Sequence, residues 1–161
     1  MAQAAAALTA SPVEQDVRGL RDLQKDGGPR EALAGAELLL RDLPENRDLL
    51  LIAAISLRHL GRVDEALATL DRLDRLQPRF SRMHQERGLC HVARKDAARA
   101  IEALLQAVNI NPALPMSWRM LEGLYRMGGD APNAATAAAH VATLAALPAE
   151  VVTATLAVLR R

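Results

Sequence analysis

The chain has 161 residues, half of them hydrophobic, and 20 basic against 19 acidic residues give it a net charge of +1. This balance excludes a general polyanion binder, because such proteins carry a basic excess on one face. The longest strongly apolar run, Leu49 to Leu57, is far shorter than the ~20 residues of a membrane-spanning helix. Cys90 is the only cysteine and residues 1–10 lack a basic signal-peptide start, so we expect a cytoplasmic protein.

The first predicted element is a helix that begins near Ser11. The sequence SPVE, residues 11–14, is typical of a capping box with proline at the first helical position. The Ala-rich residues 1–11 are interpreted as a tail that precedes it. Along the whole chain the apolar residues are mostly Ala and Leu, which are strong helix formers. The composition therefore predicts an all-α fold.

A period of 34 residues runs through the chain. Prolines stand at Pro44, Pro78 and Pro112, and an alanine lies twelve residues before each of them. One more step of 34 gives a fourth alanine, so the set in phase is Ala32, Ala66, Ala100 and Ala134. A shared period of this length is typical of a two-helix repeat array. We predict four repeats, 13–46, 47–80, 81–114 and 115–148, followed by a capping or truncated fifth-repeat helix over 149–161.

Each predicted repeat contains a turn between its two helices. Glycine or a polar pair recurs at equivalent places, namely Gly27-Gly28, Gly61, Lys95-Asp96 and Gly128-Gly129. Glycine suits a helix end that requires a positive φ. The second helices then begin with acidic or capping residues, Asp64-Glu65, Asp96 and Asp130, which favour a helix start.

These residues resemble the tetratricopeptide (TPR) repeat, whose pattern is W-x2-L-G-x2-Y, then A-x3-F, then P. The fourth predicted repeat supplies Trp118, Leu121 and Tyr125, and the third supplies Ala100, Leu104 and Pro112. The resemblance implies an α-solenoid of about four helix–turn–helix repeats plus a C-terminal helix. Residues 111–148 are also similar to the TPR segment of bacterial TPR–sulfotransferase fusion proteins.

The segment HQERGLCHV, residues 84–92, carries two histidines and the cysteine, and so invites a metal or nucleophile hypothesis. His84 and His91 are seven residues apart, on one helix face, and they occupy the positions of Trp118 and Tyr125 one repeat later. Zinc requires three or four convergent ligands, and no second ligand-rich segment exists. His59 and His140 stand isolated. We interpret the segment as a packing seam in which Gly88 allows a close helix approach.

No other motif composes an active site. The glycine pairs lack the surrounding phosphate-loop pattern, and the acidic pairs are interleaved with arginines as on a solvated face. We therefore expect a non-enzymatic protein with no metal and no cofactor.

In TPR arrays the first helices line a concave groove, and the resemblance transfers this role to matching positions here. The predicted groove residues are Arg21, Leu51, Ile55, Arg58, Arg82, Gln85, Leu89, Met116, Arg119, Arg126 and Met127. An apolar floor ringed by arginines favours an acidic amphipathic helix or extended peptide as partner. A chaperone carboxylate clamp is not indicated, because only two of its five positions have the required character.

Two hypotheses remain for function. The first is a stand-alone scaffold that binds a protein or peptide in the groove. The second is the non-catalytic N-terminal part of a larger enzyme, such as a sulfotransferase fusion. Balanced charge and scarce aromatic residues argue against nucleic acid as a partner, and no membrane partner is expected. Self-association through the apolar C-terminal helix is a further alternative. Two alternatives for the groove also remain open. The N-terminal tail or a following domain could cover it, or some of the groove residues could serve in packing between helices.

Overall fold

A computed structural model of the protein describes residues 10–147, and within this range all regular structure is α-helical. Eight helices follow one another in antiparallel pairs. Their bounds are α1 Pro12–Lys25, α2 Pro29–Asp42, α3 Arg47–His59, α4 Val63–Leu76, α5 Ser81–Ala93, α6 Ala97–Ile110, α7 Pro115–Met127 and α8 Ala131–Ala146. The predicted all-α solenoid is confirmed. The predicted helix over 149–161, and most of the predicted tail over 1–11, lie outside the described residues.

The helix starts follow from local sequence signals. Ser11 accepts a hydrogen bond from the Glu14 backbone N–H while the Glu14 carboxylate accepts one from Ser11, which is the capping box expected for α1. The side chains of Asn46, Asp96 and Asp130 accept hydrogen bonds from backbone N–H groups in the first turns of α3, α6 and α8, without the reciprocal bond of a capping box. The second helices start at residues 29, 63, 97 and 131, so each lies 34 residues after the last.

The turns between paired helices share one backbone conformation. A positive φ occurs at residues 27, 61, 95 and 129, again 34 residues apart. Glycine occupies three of these positions, but Lys95 adopts φ 59° at the third. A side chain with a Cβ is disfavoured there, so the third turn carries local strain that the others avoid.

A buried alanine recurs in the second helix of each pair. The four alanines in phase are buried, three of them completely, where the second helix of each repeat meets its neighbours. α5 and α6 approach closely at Gly88, since a Cβ added there would lie 2.6 Å from the Leu104 Cγ. This confirms the expectation that Gly88 permits a close contact.

The first helices of successive repeats also contact one another. α3 touches both α1 and α5, in addition to the second helices α2 and α4. α7 joins this series through a hydrogen bond from Ser117 to Gln85 in α5. We call the surface formed by α1, α3, α5 and α7 the first-helix face.

Candidate functional site

Polar side chains bridge the first helices from each repeat to the next. Arg21 donates to Asp48 at 2.8 Å, linking α1 to α3. Arg58 in α3 pairs with Glu86 in α5, and Ser117 in α7 donates to Gln85 in α5 at 2.8 Å. Three of the predicted groove residues, Arg21, Arg58 and Gln85, therefore contribute to contacts between repeats.

Gln24 adds a second link between α1 and α3. Its side-chain amide donates to the Ile52 carbonyl and to the Ser56 hydroxyl, both at 2.7 Å. Asp48 occupies a groove position by the resemblance, whereas its counterparts Glu86 and Ser117 were not identified as site residues from the sequence. The sequence holds a signal that could have found them, because the hydrogen-bonded residues lie 27 to 32 positions apart, which is about one repeat length.

The Arg58–Glu86 pair is largely removed from water. The side chains are 21% and 6% exposed respectively. Burial raises the pKa of the Glu86 carboxyl, and the hydrogen bond from Arg58 opposes this shift. A buried pair of this kind is strongly coupled, so removing one partner leaves an uncompensated charge.

The predicted apolar floor is only partly accessible. Leu51 is 3% exposed and belongs to the main hydrophobic core, so its prediction as a partner-binding residue is wrong. The physical reason is that α3 lies between α1 and α5 and is buried on several sides. Ile55 and Leu89 are half-buried on the same face.

The most accessible predicted groove residues lie on α7. Met116 and Met127 are 51% and 79% exposed, and Arg119 is exposed between them. Arg126 is also exposed and pairs with Glu122 at 2.6 Å, one helical turn away. Arg82 lies half-buried at the start of α5. The predicted groove residues on α3 are thus buried or hydrogen-bonded to a neighbouring helix, whereas those on α7 are exposed.

The histidine-rich segment of α5 has a packing role. His84 is 5% exposed and its Nε2 lies 2.8 Å from the Pro78 carbonyl oxygen. One repeat later Trp118 donates its indole N–H to the Pro112 carbonyl at 2.9 Å. The two side chains occupy equivalent positions of their repeats, and each contacts the carbonyl group of the equivalent proline. This agrees with the interpretation that His84 stands where the next repeat has Trp118.

Burial also affects the other two titratable residues of this segment. Cys90 is completely buried, and burial raises the pKa of its thiol to about 12. Burial also lowers the pKa of His91. Within residues 10–147 no three His, Cys, Asp or Glu side chains converge in a group that could hold a metal ion.

His140 makes an aromatic contact that the sequence did not indicate. Its ring stacks on the indole of Trp118, with centroids 3.9 Å apart and planes inclined by 9°. The contact joins α7 to α8, which no spacing within one repeat could reveal. The stack adds an aromatic contact between the two helices of the fourth pair.

None of the helices described over residues 10–147 has the length and apolarity to cross a membrane.

Comparisons with known proteins identify the fold. No family model matches the chain, and a search of curated proteins gave no match. Among solved structures, the thermophilic TPR protein TTC0263 of Thermus thermophilus matches with a TM-score of 0.74 and 21% identity, over 92% of this chain and 81% of that one. MamA matches with a TM-score of 0.66 and 18% identity, over 78% and 73% of the two chains. The human IFIT1 dimer with m7Gppp-AAAA matches with a TM-score of 0.69 and 22% identity, over 82% and 32%.

At these identities the likeness shows the fold alone. This chain has the α-solenoid fold of TPR proteins. The matches do not show the resemblance of residues 111–148 to sulfotransferase fusions, which stays a prediction.

Proposed function

We propose that the protein is an interaction scaffold whose first-helix face binds an acidic amphipathic helix or extended peptide. The observation that carries the proposal is the exposed surface of α7, where Arg119 and Arg126 lie between Met116 and Met127. Exposed apolar side chains at helical spacing are typical of protein contact sites, and methionine adapts to different partners. The arginines would bind carboxylates of the partner.

The half-buried residues of the face complete the surface. Ile55 and Leu89 would form its floor, while the polar links between α1, α3, α5 and α7 hold the helices in fixed positions. A rigid surface loses little conformational entropy on binding, so a modest contact area is sufficient. We place the protein in the cytoplasm under this proposal.

A matched pair of double variants tests the proposal. Met116→Ser with Arg119→Ser removes an exposed methionine and an exposed arginine three residues apart on α7. Leu38→Ser with Arg41→Ser removes an equivalent pair, also exposed and three residues apart, from the second helix α2. Peptides are selected from a display library of amphipathic sequences against the folded protein, and their affinities are measured by fluorescence anisotropy.

We expect acidic amphipathic peptides to dominate the selection, and the α7 variant to bind them about tenfold or more weakly. The α2 variant should bind as the unmodified chain does. Equal binding by both variants, with unchanged circular dichroism, would contradict the assignment of this face.

A further inference from the structure

A glycine stands in the middle of the exposed surface of α7. Gly123 is itself exposed, and it follows Met116 by seven residues and precedes Met127 by four, so all three lie on one face of the helix. Arg119 and Arg126 are exposed about one turn before and after it. We call the surface formed by these five residues the α7 surface.

Four glycines lie inside the helices described over residues 10–147, and two of them make room for a leucine of a neighbouring helix. A Cβ added to Gly88 in α5 would lie 2.6 Å from the Cγ of Leu104 in α6. A Cβ added to Gly35 in α2 would likewise collide with the side chain of Leu20 in α1. At both positions, the missing Cβ lets a second helix place a leucine directly against the first.

Gly123 has no such neighbour among the described residues. A Cβ added at this position would have no described heavy atom within 4 Å. Positive φ angles occur at Gly27, Gly61 and Gly129 but not at Gly123, so the backbone does not require glycine either. Alanine would favour the helix more strongly, because glycine loses more conformational freedom when a helix forms. Neither packing within residues 10–147 nor backbone conformation therefore explains a glycine in the middle of α7.

We propose that a helix of the bound partner crosses α7 at Gly123 and places a leucine against it, as α6 places Leu104 against Gly88. This inference rests on the proposed function, because the α7 surface carries that proposal. The axes of packed helices lie ~8–10 Å apart according to the side chains at the contact, and a missing Cβ favours the short end of this range. Met116 and Met127 would then pack beside the inserted leucine, since methionine adapts to the shape of its neighbour.

A helical partner suits this contact better than an extended peptide. The backbone N–H and C=O groups of α7 around Gly123 are already paired within the helix. An extended peptide held against Gly123 would bury backbone groups that find no backbone partner on α7, and each unpaired group costs free energy. A helix pairs its own backbone groups, so it makes the close approach without this cost.

A peptide selection with two library arms tests the helical form of the partner. Both arms contain acidic sequences of about 20 residues, long enough for a helix to form. In the first arm leucines recur at helical spacing, whereas in the second arm prolines at short intervals exclude a helix. Both arms are displayed against the folded full chain, and the affinities of the selected peptides are measured by fluorescence anisotropy.

Gly123→Ala is the test variant for the contact, and Gly19→Ala is its matched control. Gly19 is also exposed inside a helix, and an added Cβ there has no described heavy atom within 4 Å. Exposed Asp16 and Asp22 lie three residues to either side of it, which does not suit an acidic partner. Both substitutions favour the helix, so far-ultraviolet circular dichroism should show both variants folded.

We expect the binders to come from the helical arm, and Gly123→Ala to bind them about tenfold more weakly than Gly19→Ala or the unmodified chain. Shortening the central leucine of a selected peptide to alanine should weaken binding less in Gly123→Ala than in the unmodified chain, because the two changes act on one contact. Equal binding by Gly123→Ala and Gly19→Ala would overturn the contact at Gly123. Binders drawn mainly from the proline arm would overturn the helical partner.

The outcome separates this contact from the proposed function. If helical peptides respond to the Met116 and Arg119 changes but not to Gly123→Ala, the close approach at Gly123 is wrong and the scaffold stands. If no peptide from either arm responds to any change on the α7 surface, the proposed function itself is wrong.

Discussion

Substituting Gly88 with alanine tests the close approach of α5 and α6. The new Cβ would lie 2.6 Å from the Leu104 Cγ and 2.8 Å from its Cδ2, whereas carbon atoms prefer a separation of ~3.5–4.0 Å. Leu104 is fully buried, so it must move by ~1 Å inside a packed core. Such overpacking costs ~1–3 kcal/mol of the free energy of unfolding.

Gly123→Ala is the matched control for this change. Gly123 lies inside α7 as Gly88 lies inside α5, but no heavy atom lies within 4 Å of its added Cβ. Both substitutions gain ~1 kcal/mol from the higher helix propensity of alanine. The difference in the free energy of unfolding between the two variants therefore isolates the cost of overpacking. We expect this free energy to be ~1–3 kcal/mol higher for Gly123→Ala than for Gly88→Ala.

Urea unfolding followed by far-ultraviolet circular dichroism measures this difference. If the two variants are equally stable, then α5 and α6 are not as close at Gly88 as described. In that case the interpretation of residues 84–92 as a packing seam would lose its main support.

Three further predictions concern single side chains. Lys95→Gly should raise the free energy of unfolding by ~0.5–1 kcal/mol, because it relieves a positive φ at a cost in chain entropy. Urea unfolding checks this against Ala139→Gly, an exposed position inside α8 that should lose stability. Because burial raises the pKa of Glu86, the stability that this carboxyl contributes is fully present below its unfolded pKa of ~4.5 and is lost as pH rises through its folded pKa. The stability of Glu86→Gln relative to the unmodified chain should thus rise as the pH is raised from about 4.5 through the folded-state pKa, and a difference that stays constant with pH would contradict the raised pKa. Cys90, buried and with its thiol pKa raised to about 12, should resist a disulfide reagent at neutral pH until urea unfolds the chain, whereas equal labelling rates would show it to be exposed.

Much of the fold could be predicted because its signals are local. The capping box at Ser11 and the acidic caps Asp96 and Asp130 act within one helical turn. The turn positions are recognisable because glycine is favoured at positive φ, and even Lys95 was identified by its phase. The buried alanines recur because two helices can approach closely only where side chains are small.

The candidate site was predictable only in part. Family positions identified the exposed residues of α7, but they also assigned Leu51 to the surface, where the packing of α3 between neighbours buries it. They gave no indication that Arg58 would be paired with Glu86. A position within one repeat specifies a helix face but not what the next repeat places against it.

The sequence by itself thus determined the helices, their turns and the 34-residue order, because these depend on contacts within a few residues of the chain. The tertiary structure decided which distant side chains meet, as when Trp118 stacks on His140 within the fourth repeat, or Arg58 pairs with Glu86 across two repeats. Those encounters depend on the angle and offset between successive helix pairs. That geometry follows from the packing of the whole array, in which residues far apart in sequence come together.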